Sequence, residues 1–189
     1  MKYPLISTPR ITNALRARLT GLFSLLVVIG LVLLTTWLAD PLFRPYATFI
    51  SKTGNVVFIA TGLALLSVGP MMRGEWQTVR GILIAALIIT VLIHGMKLTI
   101  GHWLPRPSGK PGGFPSGHAA SGFALAFLLS RRYPRMVTVW YGAAILIAWS
   151  RVGMHSHYLY QVIAGTIIGI EIGIRLYRSP LLTAAMTKA

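Results

Sequence analysis

The feature that most constrains this chain is a succession of long apolar runs separated by short polar or basic links. A helix that crosses the hydrocarbon core of a bilayer needs about 20 predominantly apolar residues. Six runs approach or reach that length, at 19–39, 56–72, 82–103, 116–130, 136–150 and 158–177. Hydrophobic residues make up 54% of the chain and charged residues only 11%, a balance typical of polytopic membrane proteins. We therefore predict an all-α membrane protein built as a bundle of six transmembrane helices.

The apolar runs belong to one membrane domain, since neither an internal repeat nor a second domain is apparent in the sequence. We divide the chain into a basic cytoplasmic segment at 1–18, the membrane domain at 19–178 and a cytoplasmic tail at 179–189. Residues 40–55 are predicted to form an outward connection, in which 45–50 lies along the interface as a short helix. The first run is longer than the roughly 7–15 residues of a secretory signal, so we predict a retained helix.

Basic residues predict the orientation of the helices, because cytoplasmic links carry more Lys and Arg than outward ones. Alternating runs place on one side Lys2, Arg10, Arg16, Arg18, Arg73, Arg80, Arg131, Arg132, Arg135, Arg175, Arg178 and Lys188. The other side receives Arg44, Lys52, Lys97, Arg106, Lys110 and Arg151. The richer side is predicted to be cytoplasmic, with both termini inside a bacterial-type inner membrane. The net charge of +15 then reflects topology and a bilayer partner rather than nucleic acid.

The composition also excludes several kinds of site. The sequence contains no cysteine, so disulfides and thiolate metal sites are not available. Its three acidic residues, Asp40, Glu75 and Glu171, are too few and too scattered for a two-metal carboxylate site. We expect neither a metal nor a cofactor.

A proline- and glycine-rich link at 104–115 leads into Ser116, Gly117 and His118. Such a link cannot be helical, and a helix is predicted to begin directly after it. Helix starts leave N–H groups unpaired and carry a partial positive charge, which suits an anion. The alternative is an ordinary capped helix start with His118 facing solvent.

A second polar string follows the fifth run, where Arg151 comes six residues before His157. A guanidinium group binds two phosphate oxygens at once, and a neutral imidazole can attack phosphorus. The alternative for Arg151 is an anchor that reaches from a helix end to the membrane surface. Together with Arg106 and the string at 114–118, the residues predict a phosphate site at the outward membrane edge.

These strings resemble the three motifs of the type 2 phosphatidic acid phosphatase superfamily. The matching residues are Arg106-Pro107, Pro115-Ser116-Gly117-His118, and Ser150-Arg151 with His157. The resemblance implies that His157 attacks the phosphate to form a phosphohistidine and that His118 protonates the leaving oxygen. It further implies that Arg106, Arg151, Ser116 and the Gly117 N–H stabilise the equatorial oxygens.

Two positions depart from the superfamily pattern. Thr99 stands where the motif has lysine, and Lys97, two residues earlier, lies about 200° away on an ideal helix. We predict Lys97 as the phosphate ligand, with His102 and Lys110 as alternatives. Gln161 stands where the motif has the aspartate that orients the nucleophilic histidine. An amide oxygen can accept the same hydrogen bond without supplying charge, so the resemblance implies that Gln161→Asp raises turnover.

The sequence therefore predicts a lipid phosphatase that acts at the outer leaflet. The resemblance implies undecaprenyl pyrophosphate, phosphatidylglycerol phosphate, phosphatidate or lipid A phosphates as substrates. A lipid phosphotransferase and a weakly active or non-catalytic lipid-phosphate-binding protein remain as alternatives, the latter because of Gln161 and the shifted lysine. A small multidrug exporter is disfavoured, because Glu171 lies too near the inner end to serve as a buried transport carboxylate.

Overall fold

The computed structural model describes residues 9–38, 40–180 and 182, and every regular element within these residues is helical. Seven α-helices are joined by turns and by one long loop. They are α1 (Pro9–Leu38), α2 (Asp40–Phe49), α3 (Asn55–Met72), α4 (Trp76–Leu98), α5 (Gly117–Arg132), α6 (Val137–Gly153) and α7 (Leu159–Arg178). A π-helical turn, Ile50–Gly54, joins α2 to α3, and 3₁₀ turns occupy Ile100–Trp103 and Pro134–Met136.

Four helical segments are long and apolar enough to cross a membrane. They are Leu42–Met72, Trp76–Leu98, Pro134–Gly153 and Leu159–Arg178. Two further predicted runs are helical but shorter than these four segments. One is the apolar stretch Leu22–Leu34 within α1, and the other is α5, which has 16 residues. The all-α class is confirmed over the described residues, and the four long helices are those of an integral membrane protein. The total of six spans stays a prediction.

The first link differs from the prediction. Instead of an outward connection at 40–55, helix α2, the π-helical turn and α3 follow one another with no break. Pro45 removes one backbone hydrogen bond from α2, but Ala47 and Ser51 are fully buried because this segment packs on α6. Packing therefore continues the helix through the segment for which we predicted an outward connection. Helix α1 begins at Pro9, so helical structure extends into the basic segment predicted at 1–18, whose cytoplasmic position stays a prediction.

Helix α5 lies at the centre of the bundle, in contact with α3, α4, α6 and α7. Its residues from Ala119 to Leu129 are almost all buried. A helix enclosed by other helices does not need a lipid-facing apolar surface. This position explains why α5 can be short and rich in Ala, Gly and Ser.

A seam of glycines on α7 sets how closely it approaches α5. Gly165, Gly169 and Gly173 recur every four residues, so they lie along one face of the helix. A Cβ on Gly165 would lie 2.5 Å from the carbonyl oxygen of Ser116, and one on Gly169 would overlap the carbonyl of Ala120. Small residues at such positions let membrane helices touch backbone to backbone. As a result, the first turns of α5 and α7 meet.

Candidate active site

His157 lies in the turn between α6 and α7, two residues before α7 begins. Its side chain is 2% exposed, and its backbone N–H donates to the carbonyl of Arg151 at 3.0 Å. The imidazole Nδ1 is 2.8 Å from the carbonyl oxygen of Gly113 and 3.0 Å from Oε1 of Gln161. Because a carbonyl oxygen can only accept, the pair with Gly113 assigns the proton to Nδ1. In the neutral ring, Nε2 then carries the lone pair that a nucleophile needs.

The amide of Gln161 can adopt only one orientation. Its Nε2 donates to the carbonyl of Pro105 at 2.9 Å and to the hydroxyl of Tyr160 at 3.1 Å. Its Oε1 accepts the backbone N–H of Tyr158 at 3.2 Å, as well as Nδ1–H of His157. Exchanging the oxygen and nitrogen would place the amide oxygen against the carbonyl oxygen of Pro105. It would also place the NH₂ group against the N–H groups of Tyr158 and His157. This fully buried glutamine therefore faces His157 with its oxygen.

The surroundings of His157 favour its neutral form. Burial lowers the pKa of His157 from 6.5 to about 4, and the positive charges of Arg151, Lys97 and Arg106 act in the same direction. The hydrogen bond with Gln161 opposes the shift. Since the pKa lies well below neutrality, the ring is uncharged at physiological pH and can act as a nucleophile.

Two arginines beside this histidine have no carboxylate partner in the part of the chain that the structure describes. Arg151, in the last turn of α6, is 8% exposed and donates from Nη1 to the hydroxyl of Ser51 and to the sulfur of Met154. Within the described residues, Nε of Arg151 and Nε of Arg106 are buried and have no hydrogen-bond partner. Buried cations are ordinarily paired. Their positive charge and their N–H donors suit an anion.

The start of α5 forms another wall of the site. Ser116 is fully buried, and its backbone N–H donates to the carbonyl of Gln161 at 3.0 Å. Its hydroxyl oxygen has no partner within the described residues. His118, half-buried in the first turn of α5, is close enough to interact electrostatically with four groups. They are Arg151, His157, Lys97 and Arg106.

Lys97 reaches this helix start from the last turn of α4. Its ammonium donates to the carbonyl of Gly112 at 3.3 Å. A Cβ on Gly117 would lie 3.3 Å from Cε and 3.8 Å from Nζ of Lys97. Thr99 is exposed and donates to the carbonyl of Gly95 instead. The angle of about 200° between the two positions does not apply, because α4 ends at Leu98.

The proline-rich loop is non-helical as predicted and contributes a residue that sequence reasoning missed. Gly113 supplies the carbonyl that accepts from Nδ1 of His157. A Cβ at this position would lie 2.5 Å from the carbonyl oxygen of Leu104 and 2.6 Å from Nε2 of Gln161, so only glycine fits. His102 and Lys110, the alternatives to Lys97, are exposed. The only available signal for Gly113 was its place among closely spaced glycines and prolines.

An apolar cavity of about 370 Å³ adjoins His157. Its walls come from α1, α2, the end of α6 and the start of α7. The lining includes Val32, Phe43, Trp149, Val152, Tyr158 and Leu159. Hydrocarbon can therefore lie next to the imidazole of His157.

The fold and site together define an all-helical membrane protein with a cationic pocket around a neutral histidine. The model of the PAP2 superfamily matches residues 20–182, so the chain belongs to that superfamily. The family predicted from the three motifs is thereby confirmed, and membership supports a phosphatase-type activity on phosphoesters. Neither a curated protein nor a solved structure matches the chain.

Proposed function

We propose that this protein hydrolyses a phosphomonoester or pyrophosphate of a membrane lipid through a phosphohistidine intermediate. The observation that carries the proposal is the hydrogen bond between Nδ1 of His157 and the carbonyl of Gly113, which leaves Nε2 as the nucleophilic atom. Arg151 and Arg106, which have no carboxylate partner among the described residues, supply the countercharge for phosphate. Positive charge then comes from side chains, so the reaction needs no metal.

The reaction has two steps. In the first, Nε2 of His157 forms a bond to phosphorus while the bond to the leaving oxygen breaks, and the protonated imidazole of His118 gives its proton to that oxygen and becomes neutral. In the second, His118 takes a proton from water, the water oxygen bonds to phosphorus, and the N–P bond breaks. Fixed donors are most effective where negative charge develops. That role falls to Lys97, Arg106, Arg151, the Ser116 hydroxyl and the Gly117 N–H.

The substrate is a lipid whose hydrocarbon occupies the cavity beside His157. Undecaprenyl pyrophosphate, phosphatidylglycerol phosphate, phosphatidate and lipid A phosphates are the candidates. We place the site at the outer face of an inner membrane, with both termini in the cytoplasm, because the basic residues predict that orientation.

A phosphate-release panel over these four lipids in detergent tests the proposal. His157→Ala and His118→Ala should each abolish release, whereas His94→Ala should not, because His94 is exposed on α4 and contacts the carbonyl of Thr90. Substrate labelled at phosphorus should also leave acid-labile label on the protein, and this label should disappear in His157→Ala.

The results separate the alternatives. Undiminished release by His157→Ala would reject the phosphohistidine mechanism. Label that moves to an acceptor lipid instead of appearing as free phosphate would identify a phosphotransferase. Binding of the lipids without any turnover would identify a lipid-phosphate-binding protein.

A further inference from the structure

Arg151 is held by a residue that lies outside all three motifs. Its Nη1 donates to the hydroxyl oxygen of Ser51, which stands 100 positions earlier in the chain. Both side chains are buried, Ser51 at 1% exposure and Arg151 at 8%. A contact between buried groups so far apart in sequence depends on the packing of two helical segments.

The π-helical turn brings Ser51 to this place. Helix α2 lies tightly against the end of α6, where a Cβ on Gly153 would be 3.1 Å from the Cβ of Ala47. Ser51 follows one turn after Ala47, inside the turn Ile50–Gly54. A π-helical turn adds one residue to the helical turn and shifts the faces of the residues that follow, and such turns are frequent at functional sites.

The chemistry of this contact suits a guanidinium group that binds an anion. Arginine has five N–H donors and no acceptor. Ser51 accepts from one of them without neutralising the charge. A carboxylate at the same place would form an ion pair and compete with phosphate for the guanidinium group. With Nη1 fixed and Nε unpaired within the described residues, Arg151 remains available to a ligand.

We infer that Ser51 is a positioning residue that fixes the Arg151 guanidinium for the phosphoryl group of the substrate. The inference rests on the proposed function of the same site. It assigns a role in phosphate binding to the helical segment before α3. None of the three motifs gives that segment a role.

The full-length protein in detergent provides the test, with orthovanadate as a phosphate-like probe. Ser51→Ala should weaken orthovanadate binding about tenfold, since a lost hydrogen bond to a charged group corresponds to about that factor in Kd. For a lipid that is turned over, KM should rise more than kcat falls. Ser51→Thr retains the hydroxyl and should recover most of the affinity. Thr53→Ala, an exposed position in the same turn, serves as the matched control and should bind like the unaltered protein.

A double-mutant cycle separates positioning from a general structural role. Once Arg151→Lys has removed the planar guanidinium, adding Ser51→Ala should change orthovanadate affinity by less than about twofold, because residues that act through one contact are not additive. If the two substitutions instead changed the Kd for orthovanadate by independent factors that multiply in the double mutant, the inference would be wrong. It would also be wrong if the Ser51→Ala protein bound orthovanadate as Thr53→Ala does, or if the unaltered protein did not bind it.

Two further provisions cover a variant that does not fold and a protein that releases no phosphate. If Ser51→Ala does not fold, Ser51→Cys retains the side-chain volume with a much weaker acceptor, and the same loss of affinity is expected. If no lipid releases phosphate, the proposed function fails, but orthovanadate affinity still decides whether Ser51 positions Arg151.

Discussion

The Nδ1 atom of His157 lies 3.0 Å from Oε1 of Gln161, at the position where the superfamily motif has a carboxylate. The amide accepts the same hydrogen bond but carries no charge. Its Nε2 donates to the carbonyl of Pro105, which a carboxylate cannot do. Gln161 thus joins the proposed nucleophile to the loop that carries Arg106.

This second contact changes what is expected of Gln161→Asp. The aspartate would stabilise a charged imidazole, but it is one methylene shorter and leaves the carbonyl of Pro105 without the donor that the amide supplies. A hydrogen bond of this kind contributes about 0.5–1.5 kcal/mol, so we expect kcat to fall by up to about tenfold, contrary to what the resemblance alone implies. Gln161→Glu retains the side-chain length but also lacks the N–H donor, so its kcat should fall as well. Steady-state phosphate release measures both, and a gain in turnover by either variant would show that charge outweighs the loop contact.

Lys97, rather than Lys110 or His102, should contribute to phosphate affinity. Its ammonium lies beside the Gly117 backbone, whereas the other two side chains are exposed. We expect Lys97→Ala to raise KM about tenfold, as for the loss of one charge-assisted hydrogen bond. Lys110→Ala and His102→Ala are the controls, measured with the same lipid. If Lys110→Ala shows the larger increase in KM, the assignment of Lys97 is wrong.

The imidazole of His157 should stay neutral through most of the acidic range. Its pKa is lowered by burial to about 4, so its resonances in an NMR titration should not shift between pH 8 and pH 5. Spectra of His157→Gln would assign them. A midpoint near 6.5 would contradict the buried, neutral ring.

The same shift predicts how stability depends on pH. Between about pH 4 and 6.5 the unfolded state binds more protons at this histidine than the folded state does. The contribution of His157 to stability is therefore fully present above about pH 6.5 and is lost as the pH falls towards 4. Thermal unfolding of His157→Gln should accordingly show a weaker loss of stability over this range than the unaltered protein. An equal loss in both proteins would show that other groups determine the pH dependence.

The glycine seam on α7 should be necessary for the site as well as for the fold. Gly169→Ala sets a Cβ against the backbone carbonyl of Ala120, and overpacking of this kind costs about 1–3 kcal/mol. We expect a lower Tm in detergent and a loss of phosphate release, because the first turns of α5 and α7 separate. Gly142→Ala is the matched control on α6, since no atom lies within 4 Å of its Cβ. Equal Tm values for the two variants would mean that the seam does not limit helix approach.

Much of the site could be predicted from local sequence. The motifs name the residues, and the proline–glycine link correctly predicts a break between α4 and α5, because these residues act on the backbone where they stand. Two partners in the site could not be predicted in this way. Gly113 carries no distinctive side chain, and Ser51 lies in a segment that we predicted to be an outward connection. Their roles arise from contacts 44 and 100 positions apart in the chain.

The sequence by itself determined that this protein is helical and apolar, belongs to a phosphatase superfamily and carries basic and imidazole groups at its helix ends. These properties follow from composition and short spacings. Only the tertiary structure decided that Lys97 reaches Gly117 and that the Gln161 amide has one orientation. It also decided that Arg151 is held by a neutral hydroxyl. The physical reason is that each of these depends on how closely α2, α4 and α7 approach their neighbours, and backbone contacts such as that of Gly165 with Ser116 set this distance.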